Sequence, residues 1–237
     1  MSLAIVSLSG GIDSCVAAAI AKSAGLHLAL LHADYGQLTE TREHRAFEGI
    51  ADHFAVPAHR RLEVPMQALR LIGGSSLTDE TVPMESGLPD RGSLPNTYVP
   101  FRNAHLLATC VSWAEAIGAE HVFVGFAGGD GCAYTDCSRA FLRAFAAATE
   151  EGTAPETKIS LHAPLIDKAK DEIIKIGMFL GAPLHLTWSC YRSETLACGT
   201  CASCLVRLRG FREAGLSDPI TYEPQSPPKQ AKKAAKK

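Results

Sequence analysis

The sequence predicts an α/β protein built on a mostly parallel β-sheet with helices on both faces. Short apolar runs typical of buried strands alternate along the chain with longer, amphipathic, helix-like segments. Of the 237 residues, 46% are hydrophobic and 20% are charged, which is the composition of a globular protein. The length fits one domain with a small appendage.

The first third of the chain contains three predicted strands and two predicted helices. The strands are short apolar runs, and the helices carry apolar residues on one face. The strands are LAIVSL at 3–8, HLALLHA at 27–33 and HRRLEV at 59–64, and the helices run from Asp13 to Ser23 and from Thr39 to Phe54. Residues 73–96 are rich in Gly, Pro and Ser, which predicts a long loop of the kind that covers binding sites.

The remainder of the chain continues the alternation. A helix over 103–117, with Leu107 and Trp113 facing the core, precedes the strand HVFVGFA at 121–127 and a glycine-rich corner. Further helices are predicted for FLRAFAAATEEGT at 141–153, KDEIIKIGMFLG at 170–181 and SCLVRLRGFREAG at 203–215. Because ligands gather where parallel strands end, the corner after residue 127 is a candidate binding element.

Composition also limits the compartment and the partners. No apolar run approaches the ~20 residues needed to span a bilayer, and the N-terminus does not resemble a secretion signal. We therefore expect a cytoplasmic protein without a membrane partner. The formal net charge of −2 gives no reason to expect a stable nucleic-acid partner, although the tail ends in KQAKKAAKK.

The stretch SLSGGIDS at 7–14 joins the first strand to the first helix and predicts an anion site. Its two glycines let backbone N–H groups approach a ligand, and the helix points its positive end at that ligand. Ile12 and Asp13 stand where a P-loop needs Lys followed by Ser or Thr, and adjacent glycines do not fit a dinucleotide fingerprint. The hydroxyls of Ser9 and Ser14 are predicted to contact a phosphate, while Asp13 either caps the helix or holds Mg²⁺.

The stretch SGGIDS resembles the signature of the PP-loop, or ATP-pyrophosphatase, superfamily, which has an adenine nucleotide alpha hydrolase-like fold. The resemblance implies that ATP, bound with Mg²⁺, is split between its α and β phosphates. The ATP-binding residues that it implies are Leu8, Ser9, Gly10, Gly11, Asp13, Ser14 and Asp34. Asp34 belongs to HADYGQ at 32–37, where it either reaches the nucleotide or its metal, or serves only as a turn residue.

Further motifs occur in the order DYGQ, SSLT, LPNTYVPFRN, DGCAYTDC and a terminal cysteine pattern. Together they resemble the 7-cyano-7-deazaguanine synthase (QueC) family over Ile5 to Phe211. The resemblance implies a homodimeric ligase of queuosine biosynthesis that converts 7-carboxy-7-deazaguanine, ATP and ammonia into a nitrile. The catalytic residues that it implies are Asp13, Ser14, Arg102 in VPFRN and Lys168 in PLIDKAKDEI. Arg102 and Lys168 would neutralise the polyphosphate, and the alternative for each is an ordinary surface charge.

The implied reaction makes chemical sense because a carboxylate is a poor electrophile until ATP activates it. Ammonia then displaces the activated oxygen, and a second activation of the amide followed by elimination leaves a nitrile. The protein has chiefly to position groups and stabilise developing charge. The PP-loop resemblance favours adenylation with pyrophosphate leaving, and release of ADP is the alternative.

The resemblance places the deazaguanine on a second set of residues. They are Tyr98, Arg102, Tyr134 and Asp136. Asp136 would accept hydrogen bonds from the guanine-like edge, or else cap a helix that begins near Cys137, and the tyrosines would stack on the ring or lie in the core. The chain departs from the family pattern at Phe101, Thr135 and Ser138, where the family has Gly, Pro and Arg.

Four of the eight cysteines cluster in CYRSETLACGTCASC and predict a structural Zn²⁺ site. The ligands are Cys190, Cys198, Cys201 and Cys204, and four thiolates leave no open position for a catalytic water. An iron–sulfur cluster is the alternative, while Cys15 and Cys110 are expected in the core. The predicted units are a PP-loop domain over 1–186, a zinc-binding region over 187–222 and a disordered basic tail over 223–237.

Two other functions remain compatible with the sequence. A divergent member of the family would amidate a different carboxylate, and the acid that stimulates ATP consumption would identify it. A nucleic-acid-binding module would use the cysteine cluster and the Lys-rich tail, although the cluster has few flanking aromatic residues.

Overall fold

The computed structural model describes residues 2–85, 87–88, 93–128 and 134–224. Its centre is a five-stranded, wholly parallel sheet with the strand order β3-β2-β1-β4-β5. The strands are β1 (Leu3–Ser7), β2 (His27–Asp34), β3 (Arg61–Pro65), β4 (His121–Phe123) and β5 (Ser160–His162). The predicted fold class is confirmed.

Seven helices flank this sheet in the described part of the chain. They are α1 (Ile12–Ser23), α2 (Glu40–His53), α3 (Gln67–Ile72), α4 (Arg102–Ile117), α5 (Arg139–Gly152), α6 (Lys170–Phe179) and α7 (Ala202–Glu213). None of the helices in these ranges combines the length and apolar character that crossing a membrane requires.

Each face of the sheet carries its own hydrophobic core. On one face, β1 and β2 pack against α1, α2, α6 and α7, with Cys15 fully buried among them. On the other face, the alternate side chains of the same strands pack against α4 and α5, where Cys110 is fully buried. A parallel sheet covered on both faces explains why the strand β1 reads as an unbroken apolar run.

The short elements are the ones that differ from the sequence-based expectation. The predicted strand HVFVGFA is hydrogen-bonded as a strand only at His121–Phe123, and the edge strand Ser160–His162 and the helix Gln67–Ile72 were not predicted. Three residues at a sheet edge carry too little alternation to be recognised. The helix expected to begin near Cys137 begins at Arg139 instead, because the Ser138 hydroxyl caps it by accepting from the Phe141 amide.

The C-terminal segment is joined to the rest of the chain by a buried arginine. Arg207 on α7 is 1% exposed and donates to both carboxylate oxygens of Asp218 at 2.8 and 2.9 Å. It also donates to the Thr187 hydroxyl at 2.8 Å. A buried guanidinium needs this full set of partners, so it holds the chain on either side of α7 together. The unit boundary at 186/187 stays a prediction, and residues 225–237 of the predicted tail lie outside the described residues.

Phe101 has a left-handed backbone, with φ at +56°, immediately before α4. Glycine adopts this conformation without the steric penalty of a side chain, which is about 1–2 kcal/mol. We predict that Phe101→Gly is more stable than Phe101→Ala by roughly 1 kcal/mol, after allowing for the greater freedom of glycine in the unfolded chain. Both variants lose the edge-to-face contact with Phe141, so the comparison isolates the backbone. Urea unfolding measures it, and an alanine variant equal to or more stable than the glycine variant would contradict the prediction.

Candidate active site

The stretch predicted as an anion site forms a corner between β1 and α1, at the carboxyl edge of the sheet. Gly10 has φ at +83°, and Gly11 is the extended residue before the helix. The Ser9 and Ser14 hydroxyls lie 3.1 Å apart, and the Ser9 hydroxyl accepts from the Gly11 amide at 3.3 Å. The first-turn N–H groups of α1 therefore stand beside two hydroxyls, which is the arrangement expected to bind a phosphate.

The chain after β4 passes directly against this corner at Gly125. A side chain there would place its Cβ 2.5 Å from the Ser14 nitrogen and 2.7 Å from the Asp13 carbonyl carbon. Backbone atoms cannot move aside as a flexible side chain could. Only glycine is therefore compatible with this contact, which fixes the start of α1 against the end of the neighbouring strand.

A cavity of about 300 Å³ opens above the corner. The corner residues line it, except Gly10, and so do the side chains of Tyr35, Glu43, Arg102, Tyr134 and Lys170. The structure thus brings together the predicted residues Leu8, Ser9, Gly11, Asp13, Ser14, Arg102 and Tyr134. The volume of the cavity and the polarity of its lining suit a small ligand that carries negative charge.

A lysine that the sequence analysis did not select lies at the corner. Lys170, the first residue of α6, donates to both carboxylate oxygens of Asp13 at 2.5 and 2.7 Å. Lys168 lies outside the cavity, half exposed, with its Nζ 3.3 Å from Glu172. A lysine at the first position of a helix opposes the helix dipole, and this is the signal that could have identified Lys170.

Arg102 enters the cavity from the first residue of α4. Its Nη1 donates to the Tyr35 hydroxyl at 2.7 Å, and its guanidinium lies 5.0 Å from the centre of the Tyr35 ring. Burial raises the pKa of Tyr35 to about 12, so the phenol stays neutral. Arg102 and Lys170 are two cations facing the same cavity from different helices.

Glu43 on α2 is an acidic group in the same cavity that the sequence analysis also missed. Its carboxylate accepts from the Thr39 hydroxyl at 2.8 Å and from the Gln37 amide at 3.2 Å. Burial nevertheless raises its pKa to about 7. The helical spacing could have identified Glu43. It precedes the buried residues Ala46 and Phe47 by three and four positions, which places it on the inner face of α2.

The other predicted substrate residues lie beside the cavity. Asp136 is 3% exposed, and its Oδ2 accepts from the backbone N–H of Asn103 at the start of α4. Its Oδ1 is buried and has no hydrogen-bond partner among the residues that the structure describes. The rings of Tyr98 and Tyr134 lie 5.7 Å apart, and the Tyr98 hydroxyl accepts from the Phe101 amide. A buried carboxylate oxygen without a partner is costly, which makes Asp136 a candidate for contact with a ligand.

Asp34 is a predicted nucleotide residue that lies outside both the corner and the cavity. Its Oδ1 accepts from the Gly36 amide at 2.9 Å, which is the hydrogen bond of an Asx turn. It lines a separate depression beside His32 and Glu63. Of the two roles predicted for Asp34, the observed contact is that of a turn residue.

The four clustered cysteines converge as the spacing predicts. The sulfurs of Cys190, Cys198, Cys201 and Cys204 all lie within 4.8 Å of one another. The Cys198 and Cys204 sulfurs are 3.9 Å apart, close to the ~3.8 Å of a tetrahedral site with metal–sulfur bonds of about 2.3 Å. Backbone amides donate to the Cys190 and Cys198 sulfurs, and hydrogen bonds from neighbouring thiols hold the pKa of Cys201 well below its usual range. The donor set fits a thiophilic metal ion.

A parallel sheet with a glycine corner between β1 and α1 is the arrangement of an α/β nucleotide-binding protein, and the sequence SGGIDS at that corner places the chain in the PP-loop class. Comparison with known sequences makes the assignment specific. The family described as queuosine biosynthesis protein QueC matches residues 3–215, and the chain belongs to this family.

Individual relatives agree with the family assignment. The chain is 52% identical over 221 residues to a 7-cyano-7-deazaguanine synthase of Chlorobium phaeobacteroides, covering 93% of this chain and 96% of that relative. It is 50% identical over 221 residues to a protein of the same name from Chlorobium luteolum, with the same coverage. Among solved structures it is similar to a predicted tRNA methyltransferase subunit of Methanocaldococcus jannaschii, with a TM-score of 0.48 and 13% identity over 95% of this chain and 93% of that one. That similarity is too low to carry a conclusion.

The raised pKa of Glu43 predicts a pH dependence of stability. The folded protein keeps this carboxyl protonated up to about pH 7, whereas the unfolded chain releases the proton near its ordinary value of 4.5. The folded state thus binds more protons between these values, so its free energy of unfolding falls as pH rises through them, by roughly 1–3 kcal/mol. Urea unfolding of the wild type and Glu43→Gln at pH 5 and pH 7.5 measures the effect. As pH rises from 5 to 7.5, the wild type should lose stability relative to Glu43→Gln, because glutamine does not titrate. A difference in stability that is independent of pH would refute the raised pKa of Glu43.

Proposed function

We propose that this chain is an ATP-dependent ligase that converts 7-carboxy-7-deazaguanine and ammonia into 7-cyano-7-deazaguanine, the compound for which its relatives are named. The observation that carries the proposal is family membership over nearly the whole chain, at about half identity to synthases of matching length. The cavity supports it, because its cations suit the phosphates of ATP and the carboxylate of a small acid. The buried acceptor of Asp136 beside the cavity suits the N–H groups of a planar base.

The corner is proposed to hold the polyphosphate of ATP. The Ser9 and Ser14 hydroxyls and the first-turn amides of α1 would donate hydrogen bonds to its oxygens, and Lys170 would neutralise charge that develops on the leaving pyrophosphate. Mg²⁺ bound with ATP would supply further neutralisation of the phosphates. Asp13, which now pairs with Lys170, would orient that lysine and is the carboxylate nearest the corner.

The chemistry then requires two rounds of activation. The substrate carboxylate attacks the α phosphorus, pyrophosphate leaves, and ammonia displaces AMP from the acyl adenylate to give the amide. A second ATP adenylates the amide oxygen, with pyrophosphate leaving and one N–H proton released, and the resulting imidate loses AMP and its second N–H proton to leave the nitrile. Water must be excluded throughout because it would hydrolyse the adenylate.

Recognition of the deazaguanine is assigned to the buried acceptor and the aromatic pair. The Asp136 Oδ1 would accept from the amino and ring N–H groups of the base, and Tyr98 and Tyr134 would flank its ring. Arg139, one place after the arginine of the family pattern, is exposed and pairs with Asp167. Arg102 is therefore the arginine proposed to face the substrate carboxylate.

The activity is tested by incubating the purified protein with 7-carboxy-7-deazaguanine, ATP, Mg²⁺ and ¹⁵N-ammonium. Mass spectrometry should detect the ¹⁵N-labelled nitrile together with AMP. ATP consumption stimulated only by another carboxylic acid would favour the divergent enzyme. RNA binding without any turnover would favour the nucleic-acid module.

Lys170 and Lys168 are predicted to differ sharply when replaced. Lys170→Ala should lower kcat by about 10² or more, as loss of one positioned charge at a reacting group does. Lys168→Ala should leave kcat within about twofold, because it removes only an exposed pair with Glu172. Steady-state kinetics on both variants shows which of the two lysines contributes to turnover. A large loss with Lys168→Ala and none with Lys170→Ala would reverse the assignment.

The cysteine cluster is proposed to bind a structural Zn²⁺. Metal binding to four thiolates contributes about 10–16 kcal/mol in small zinc-finger peptides, so loss of one ligand should destabilise the C-terminal region. We predict that Cys201→Ser loses zinc and has a lower melting temperature, whereas Cys110→Ser retains zinc because Cys110 lies in the α4 core. Metal analysis by mass spectrometry measures this. Iron in place of zinc, with absorbance near 400 nm, would establish the iron–sulfur alternative.

A cytoplasmic homodimer is the remaining part of the proposal. The resemblance to the family supports the dimer, as do large apolar side chains exposed on the surface, among them Leu71 and Phe179. Sedimentation velocity tests the dimer, and a species of 25.2 kDa at micromolar concentration would exclude it.

A further inference from the structure

The proposed reaction needs a nucleophile that does not exist in its reactive form in neutral water. Like other amines, ammonia is present near neutral pH almost wholly as its conjugate acid, and ammonium has no lone pair with which to attack a carbon. The nucleophile therefore enters the cavity as a cation and has to lose a proton there. A group that both accepts hydrogen bonds from ammonium and takes a proton from it is required.

Two carboxylates line the cavity in the described part of the chain, and they differ in their partners. Asp13 holds the Lys170 ammonium group through both of its oxygens, at 2.5 and 2.7 Å. Glu43 instead accepts from two neutral donors, one on each oxygen, which are the Thr39 hydroxyl at 2.8 Å and the Gln37 side-chain amide at 3.2 Å. Because an ionised carboxylate has about four acceptor positions, Glu43 keeps about two of them for a ligand.

The helix α2 carries Glu43 directly against the nucleotide corner. The Glu43 main-chain oxygen lies 2.9 Å from the position that a Cβ on Gly10 would occupy, and glycine at this left-handed position permits the close approach. Glu43 lines the same cavity as Arg102 and the two corner hydroxyls. Its carboxylate therefore belongs to the cavity in which the acyl adenylate is proposed to form.

The surroundings of Glu43 make its carboxylate a stronger base than an exposed one. Burial raises its pKa from the ordinary 4.5 to about 7, and the nearby charge of Asp34 acts in the same direction. The hydrogen bond from Thr39, the charge of Arg102 and the hydrogen bond from Gln37 limit this rise. The carboxyl is thus ionised in part of the molecules near neutral pH, and it accepts a proton more readily than an ordinary glutamate does.

We propose that Glu43 binds ammonium and is the base that converts it into the attacking ammonia, which deepens the proposed ligase function and rests on it. The carboxylate takes one N–H proton, and the lone pair left on nitrogen attacks the acyl carbon of the adenylate. As the C–N bond forms, the C–O bond to AMP breaks, and its electron pair leaves on the AMP phosphate. The nitrogen gives one further proton to that phosphate. The proton on Glu43 returns to solvent before the next turnover.

The first test separates activation of the acid from use of ammonium. Glu43→Gln removes the base, and Glu48→Gln, on the same helix and outside the cavity, is the matched control. Exchange of labelled pyrophosphate into ATP, dependent on 7-carboxy-7-deazaguanine, needs no ammonium and should stay within about threefold of the wild type in both variants. The kcat/KM for ammonium should fall by about 10² or more in Glu43→Gln and stay unchanged in Glu48→Gln.

Two further measurements distinguish proton transfer from a structural role. The wild-type kcat/KM for total ammonium should level off above about pH 7, where Glu43 is ionised and ammonium itself is the species that binds. In Glu43→Gln it should keep rising by about tenfold per pH unit, because only free ammonia then reacts. Hydroxylamine is largely neutral near pH 7 and needs no base, so both proteins should form the hydroxamate at similar rates.

Each opposite result would overturn the proposal. Ammonium kinetics of Glu43→Gln equal to the wild type would do so, as would an equal loss with ammonium and hydroxylamine. Loss of pyrophosphate exchange in Glu43→Gln alone would assign Glu43 to adenylation instead. A wild-type profile that keeps rising above about pH 7 would overturn the proposal even if the variant failed to fold. Absence of exchange in the wild type would contradict the proposed function itself, and the role of Glu43 would fall with it.

Discussion

The contact between Gly125 and the first turn of α1 is the constraint on which the candidate site depends. The chain leaving β4 touches the backbone of Asp13 and Ser14, so a single Cβ would force these elements apart. This contact sets where the first-turn amides point. The two cations come from α4 and α6, helices on opposite faces of the sheet, and they meet at its carboxyl edge because the sheet positions both of them against the same corner.

The electrostatics of the cavity follow from this geometry. The positive end of α1, Lys170 and Arg102 converge on one small volume, while Asp13 and Glu43 oppose them. Burial raises the pKa of Glu43 to about 7, so this carboxyl carries only part of a negative charge near neutral pH and the cavity is more positive than its residue types alone indicate. An anionic ligand is therefore favoured there. Asp13 keeps Lys170 oriented in the absence of that ligand, since a lysine at a helix start has no support from the helix dipole.

The sequence was most informative where a strong local pattern and the tertiary fold agree. The long apolar runs and the periodic stripes predicted β1, β2, α1, α2 and α4, and the cysteine spacing predicted a cluster that the structure brings together. It was least informative where tertiary contacts decide. Which lysine reaches Asp13 depends on how α6 docks, and the orientation of Asp34 depends on a turn bond to Gly36. The carboxylate of Asp136 contacts the start of α4 through Asn103, a residue distant in sequence, and spacing alone cannot reveal such a contact.

ATP binding to a variant in which Gly125 gains a methyl group tests most directly whether the corner holds the nucleotide. Calorimetry on the wild type, Gly125→Ala and the control Gly152→Ala, where the added Cβ meets open space, isolates the contact at the corner. We predict at least tenfold weaker binding for Gly125→Ala, or about 1.4 kcal/mol, and no change for the control. Equal affinity in all three proteins, each folded by circular dichroism, would contradict the claim that this corner holds the nucleotide.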